Sequence, residues 1–109
     1  SDDSFAIDGL IETFNIITPN GGDLVYSGTS TFIYWENIKN QTDNVNLFYS
    51  IDNGQNWKLI EKDVENNGVY NWVVPKSIKY SGKCLVKIVS SKNSKHFGMS
   101  DNIFTIKSN

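Results

Sequence analysis

The stretch from Val45 to Glu61 constrains the fold of this chain more than any other. Apolar residues occupy alternate positions from Val45 to Ile51, and a second extended run begins at Trp57. Between them, Asp52-Asn53-Gly54 supplies turn chemistry, because Asp bonds its own backbone, Asn tolerates a left-handed conformation and Gly takes a positive φ at little cost. The pattern predicts a β-hairpin whose turn directs Trp57 back at the body of the domain.

The remaining apolar runs are also short and bounded by turn residues. No segment sustains an apolar period of 3.6 residues, so we predict no helix beyond a single turn. Seven or eight strands at spacings near a dozen residues predict an all-β, immunoglobulin-like antiparallel β-sandwich. Besides the hairpin, the predicted strands are Thr13–Thr18, Leu24–Tyr26, Ser30–Glu36, Val69–Val74, Lys83–Ser90 and Asn102–Lys107. The predicted core residues are Ile16, Ile33, Trp35, Leu47, Tyr49, Trp57, Tyr70, Trp72, Val86, Ile88 and Phe104.

Length and charge limit the functions that this chain can have. With 109 residues there is room for one core. The net charge is −2 and every basic residue is lysine. The chain therefore lacks arginine, whose guanidinium group forms bidentate hydrogen bonds with bases, and this argues against a nucleic-acid partner. The single cysteine, Cys84, cannot form an internal disulfide. No apolar run approaches 18 residues, so we expect no membrane insertion, and we expect a monomer.

The two ends of the chain resemble each other. Residues Ser1–Ile7 match Ser100–Ile106 at Ser, Asp, Phe and Ile, with an offset close to the size of one sandwich module. Such self-similarity is typical of an array, although four identities among common residues also arise by chance. We therefore predict that residues 1–12 are a linker or the closing strand of a preceding repeat, and that residues 13–109 form the domain. The neighbouring domains of the same chain are the expected partners.

The sequence does not predict an enzyme. His96 lies in a polar segment predicted to be a solvated loop, and Cys84 lies on a strand that directs it inward. A nucleophile pair needs these two groups within hydrogen-bond reach, with a third group orienting the base. There is no phosphate-binding glycine loop, zinc spacing or Gly-x-Ser-x-Gly elbow. We expect a buried structural thiol and no catalysis.

Two resemblances extend this interpretation. The spacing Ser50-x-Asp52-x-Gly54-x-x-Trp57 resembles the Asp-box, which is a structural hairpin signature and implies no catalysis. The whole chain resembles bacterial immunoglobulin-like or fibronectin-type-III-like surface modules, and is similar to the N-terminal domains of fungal Kre9/Knh1-like wall proteins. The segments that carry this second resemblance are Ile17–Gly22, Ile33–Trp35, Tyr49–Trp57, Gly68–Pro75, Cys84–Val89 and Ser100-Asp101 with Phe104. It implies a secreted or cell-surface accessory module of a bacterial protein: a spacer, an adhesin repeat or a companion to a catalytic domain.

Exposed aromatic rings make polysaccharide a possible ligand. Most aromatic residues, including all three tryptophans, fall on the apolar phase of a strand and are predicted to be core. Phe32, Tyr34 and Phe48 fall on the opposite phase, and Phe32 and Tyr34 share one face of a strand. Because sugar faces stack on such rings, these three residues are the predicted glycan-binding residues. The same rings would also suit contact with a neighbouring module or cover for a linker strand.

We expect no cofactor, and the sequence leaves calcium open as the alternative. Asp2, Asp3 and Asp8 lie near one end of the chain, and Asp101 and Asn102 lie near the other. These oxygen ligands suit calcium, and Asp2, Asp3 and Asp101 are the predicted ligands at a module junction. Acidic residues beside strand ends more often serve as turn and cap residues. The favoured function is thus a non-catalytic repeat or spacer, and the alternative is a carbohydrate-binding module attached to a polysaccharide-active enzyme.

Overall fold

The computed structural model describes residues 11–37 and 43–108, and these residues form strands and turns without a helix. Within these ranges no helix is long and apolar enough to cross a membrane. The strands are β1 (Ile11–Glu12), β2 (Phe14–Thr18), β3 (Leu24–Tyr26), β4 (Ser30–Asn37), β5 (Val45–Ser50), β6 (Lys58–Val64), β7 (Val69–Val73), β8 (Tyr80–Ser90), β9 (His96–Met99) and β10 (Phe104–Lys107).

The strands form two sheets. The smaller sheet has the order β2-β4-β7, and all its pairings are antiparallel. In the larger sheet, β8 pairs antiparallel with β5 on one side and with β9 and β10 on the other, and β6 pairs with β5. Two short strands add parallel pairings, β1 with β9 and β3 with β10. The predicted all-β, immunoglobulin-like β-sandwich is confirmed.

An additional strand, β9, precedes the closing strand, and the sequence does not predict it. The predicted polar loop after Ser90 contains β9, which pairs with Lys87–Val89. Between β9 and β10, the buried hydroxyl of Ser100 accepts a hydrogen bond from the Val86 amide at 3.1 Å and donates to the Pro19 carbonyl oxygen at 3.0 Å. These bonds hold the turn between β9 and β10, and the predicted closing strand Asn102–Lys107 corresponds to β10.

The core lies between the sheets and contains most of the predicted residues. The buried apolar residues of the cluster are Phe14, Ile16, Val25, Ile33, Trp35, Val45, Leu47, Tyr49, Val64, Trp72, Val74, Ile78, Cys84, Val86, Ile88, Phe104 and Ile106. Tyr70 packs against this cluster but is only partly buried. Trp57 was wrongly predicted as core. It is half-exposed, because its ring lies beside Lys87 instead of between the sheets.

The domain limits stay a prediction. Within the predicted linker, Ile11 and Glu12 pair with His96 and Phe97 of β9, so these two residues already belong to the larger sheet.

Candidate functional site

Phe32 and Tyr34 form a pair of exposed rings on the outer face of the smaller sheet. Both lie on β4, where Ile33 and Trp35 point into the core, and the strand alternation therefore turns Phe32 and Tyr34 outward. Phe32 is 50% exposed and Tyr34 is 43% exposed. Their ring centroids are 5.9 Å apart and the ring planes meet at 34°. The two predicted residues thus form one aromatic surface.

The neighbouring strands extend this surface. In register, Phe32 lies opposite Asn71 and Tyr34 lies opposite Val69 of β7. Ile17 of β2 and Val73 of β7 are also exposed. We call the outward side chains of Ile17, Phe32, Tyr34, Asn71 and Val73 the β4 platform. It offers flat apolar area for stacking and one amide, on Asn71, for hydrogen bonding.

Phe48, the third predicted glycan residue, does not join the β4 platform. It lies on β5 in the larger sheet, where it is half-buried and pairs with Lys87 of β8. The Lys87 ammonium lies 5.3 Å from the centroid of the Phe48 ring and 4.4 Å from that of Trp57. Partial burial among these side chains lowers the pKa of Lys87. The sequence does not reveal this cluster, because the apolar alternation of the hairpin assigns Trp57 to the core.

The 50–57 turn is held by its own side chains. The Ser50 hydroxyl donates to Asp52 Oδ1 at 2.7 Å and accepts from the Gly54 amide at 2.9 Å. The Asn56 amide donates to Asp52 Oδ1 at 2.9 Å, and its side-chain nitrogen donates to Asp52 Oδ2 at 2.7 Å. Asn53 and Gly54 both have positive φ, as the turn residues predict.

Hydrogen bonding also decides the chemistry of the Asp52 carboxyl. The side chains of Asn56 and Ser50 and the Asn56 amide lower the pKa of Asp52 to about 2. A carboxylate with such a low pKa is a poor general base near neutral pH. Its role in this turn is structural.

Cys84 and His96 are far apart. Cys84 is fully buried, its thiol donates to the Ser81 carbonyl oxygen at 3.3 Å, and burial raises its pKa. His96 begins β9, whose next residue pairs with Val89, so it lies six residues along β8 from Cys84, or roughly 20 Å. The prediction of a solvated loop histidine is wrong, because His96 is half-buried and its buried Nδ1 has no hydrogen-bond partner among the described residues.

Of the three predicted calcium ligands, only Asp101 lies among the described residues. Asp2, Asp3 and Asp8 lie outside the described residues, and Asp101 is exposed in the turn between β9 and β10. The next residue, Asn102, serves that turn: its amide donates to Asn20 Oδ1 at 3.0 Å and its carbonyl oxygen accepts from the Gly21 amide. Residues 11–37 and 43–108 contain no group of three or more His, Cys, Asp or Glu able to hold a metal ion. The calcium site stays a prediction.

Comparisons with known proteins find similarity among solved structures. No protein-family model matches the chain. No curated protein matches it. A solved structure of the fibronectin(III)-like modules of Clostridium thermocellum CbhA aligns with 87% of this chain and 93% of its own, at 16% identity and a TM-score of 0.48. The fold assignment rests on the strand order and pairing described above.

Proposed function

We propose that the chain is a non-catalytic spacer module of a secreted or cell-surface bacterial protein, of the kind found in adhesins and beside catalytic domains. The observation that carries the proposal is the parallel pairing of β3 with β10. A strand near the beginning of the sandwich thus runs alongside the last one. This arrangement suits a module that transmits tension.

The described residues also begin and end at opposite ends of the sandwich. Ile11 pairs with His96 near the Ser90 end of β8. The Ser108 amide donates to the Lys79 carbonyl oxygen, next to the start of β8. Eleven residues of β8 separate these points, or roughly 35 Å, and the longest dimension of the domain is 40 Å. The module would therefore add most of its length to an array.

Tension between these two ends would load β3 and β10 in shear. Because the strands are parallel, pulling them toward opposite ends strains their hydrogen bonds together instead of one after another. The Thr105 amide donates to the Asp23 carbonyl oxygen, and the Ser27 amide donates to the Lys107 carbonyl oxygen, each at 2.9 Å. These two bonds lie at the two ends of the pairing between β3 and β10.

Single-molecule force spectroscopy tests the spacer function. Pulled through its two ends, the domain should unfold in one step and lengthen by about 300 Å, since each unfolded residue extends up to about 3.6 Å. Ser27→Pro removes the amide that donates to Lys107 and should lower the unfolding force. The control Ser27→Ala keeps this amide and should unfold near the wild-type force. Equal forces for all three proteins would count against load-bearing by β3 and β10.

The 50–57 turn supports the non-catalytic proposal. Asp52 is its acidic side chain, and its oxygens already accept hydrogen bonds from Ser50 and Asn56. We propose, in line with the Asp-box resemblance, that this carboxylate braces the hairpin and does not act on a substrate.

Polysaccharide binding by the β4 platform is a second candidate function. Phe32 and Tyr34 support it, because they hold two contacting rings half-exposed on a flat sheet face. Pyranose faces would stack on these rings while Asn71 supplies hydrogen bonds. Phe48 has no part in this site, since it lies in the other sheet.

Affinity electrophoresis through gels that contain soluble plant, algal and bacterial polysaccharides tests this candidate. One polymer should retard the wild-type domain, and Tyr34→Ala should abolish that retardation with little change in melting temperature. Tyr80→Ala is the matched control, because Tyr80 is 68% exposed but lies on β8, outside the platform. Binding unchanged by Tyr34→Ala, or a large loss of stability, would contradict a glycan site here.

A further inference from the structure

β7 is an edge strand with unpaired backbone groups. Among the described residues it pairs only with β4. The Trp35 amide donates to the Gly68 carbonyl oxygen at 3.0 Å, and the Val74 amide donates to the Thr29 carbonyl oxygen at 2.9 Å. Because hydrogen-bonding residues alternate along an antiparallel strand, these bonds direct the backbone groups of Val69, Asn71 and Val73 away from β4.

Only one of these groups has a local partner in the described part of the chain. The Val69 amide donates to Asn67 Oδ1 at 3.3 Å, a long bond to an exposed side chain. Asn71 and Val73 are exposed, and their backbone groups have no hydrogen-bond partner among the described residues. The edge can therefore accept another strand at the cost of one weak hydrogen bond.

This edge lacks the features that usually prevent edge pairing. The five residues of β7 include no charge and no proline, and the pairing of β7 with β4 has no bulge. β6, an edge strand of the larger sheet, is different. It carries Lys58, Glu61, Lys62 and Asp63, its pairing contains bulges, and Asp63 has a positive φ of 56°.

The sequence of β7 is chemically symmetric about its centre. Val69-Tyr70-Asn71-Trp72-Val73 reads as valine, aromatic, asparagine, aromatic, valine in both directions. Two copies of such a strand match each other when they pair antiparallel about a two-fold axis at Asn71. We propose that the protein forms a homodimer by antiparallel pairing of β7 with β7 of a second copy.

The residues whose backbone N–H and C=O groups point away from β4 are the ones that this register pairs. Asn71 would lie opposite Asn71 of the second copy, and Val69 opposite Val73. These are the residues whose backbone groups point outward, so each pair exchanges two hydrogen bonds. Tyr70 would lie opposite Trp72 on the inner side, where aromatic cross-strand pairs are favourable. A register shifted by one residue would lose all these matches.

The short contact sets the expected affinity. A strand of five residues buries less area than stable dimers usually require. The dimer is therefore weak, and sedimentation equilibrium should detect it at protein concentrations approaching about 1 mM. A protein that stays monomeric throughout this range, which is the expectation from the sequence, would overturn the proposal.

Charge substitutions at Asn71 test the position of the axis. Asn71→Lys and Asn71→Asp each place two like charges opposite each other, and each should weaken self-association roughly fivefold or more. An equimolar mixture of the two variants should dimerise again, because the lysine of one copy faces the aspartate of the other. The control is Tyr80→Lys, at an exposed position away from β7, which should dimerise like the wild type.

Two further results test the homodimer. If the Asn71 variants dimerise like the wild type, the contact lies elsewhere and the proposal is overturned. The same holds if the equimolar mixture of the two variants does not dimerise. Amide hydrogen exchange of the wild-type protein gives a test without substitutions. The Asn71 and Val73 amides should exchange more slowly at high than at low protein concentration, and rates independent of concentration would also overturn it.

Discussion

Asp52 shows how one side chain can fix a turn. Its two oxygens accept hydrogen bonds from Ser50 and from two nitrogens of Asn56, and these bonds lower its pKa to about 2. Hydrogen bonds to an ionised carboxylate favour the charged form. The turn is therefore most stable when Asp52 is ionised.

The first prediction concerns the pH dependence of this turn. An unfolded Asp titrates near pH 4, so the contribution of Asp52 is full above about pH 4 and is lost as the pH falls toward 2. Asp52→Asn should lower the free energy of unfolding at pH 7, and the difference from wild type should shrink as the pH approaches 2. Denaturant unfolding at several pH values measures it.

Asp101→Asn is the control, since it alters a carboxylate in an exposed turn between strands. It should change stability little across the same pH range. A difference between Asp52→Asn and wild type that does not vary with pH would show that ionisation of Asp52 does not stabilise the turn.

At the scale of elements, β2 and β9 approach each other closely at Gly98. A Cβ atom on Gly98 would lie 2.2 Å from the carbonyl oxygen of Phe14 and 2.7 Å from its carbonyl carbon. Backbone atoms cannot move aside as a flexible side chain can. The Thr13 amide also donates to the Phe97 carbonyl oxygen at 2.8 Å, which holds this part of the chain against β9.

The second prediction follows from this approach. Gly98→Ala should destabilise the fold by roughly 1–3 kcal/mol, because β9 or β2 must shift to admit the methyl group. The control is Gly82→Ala, where the nearest atom is the hydroxyl oxygen of Tyr80, at 3.2 Å, on an exposed side chain that can move. Thermal and denaturant unfolding compare the two variants. Equal stabilities would contradict the close approach.

At the scale of the whole molecule, the apolar faces of the two sheets hold the sandwich together. Ile88 of β8 is fully buried in the core cluster. Leu59 of β6 is 50% exposed, although β6 belongs to the same sheet. Comparing substitutions at these two residues therefore distinguishes the effect of burial from the effect of hydrophobic character alone.

The third prediction uses this contrast. Ile88→Ala should lower the free energy of unfolding by about 2–5 kcal/mol, through lost burial and a new cavity. Leu59→Ala should change it by at most about 0.5 kcal/mol. Tryptophan fluorescence can follow the denaturant unfolding, because Trp35 and Trp72 are buried. A similar loss in both variants would place the core elsewhere.

Local sequence patterns determined the strands, the hairpin turn and the direction of many side chains. The alternation around Ile33 and Trp35 predicts that Phe32 and Tyr34 point outward, because neighbouring residues of a strand lie on opposite faces. Asp52-Asn53-Gly54 likewise predicts the turn from the conformations of single residues.

Only the tertiary structure decided which outward residues share a face. It placed Phe48 in the other sheet from Phe32, left Trp57 outside the core and built β9 from a segment that looks like a polar loop. These outcomes depend on pairings between strands distant in the chain, such as β8 with β9 and β3 with β10. Alternation within one strand shows two faces but not which neighbours the strand will have, because that choice depends on how all the apolar faces are buried together.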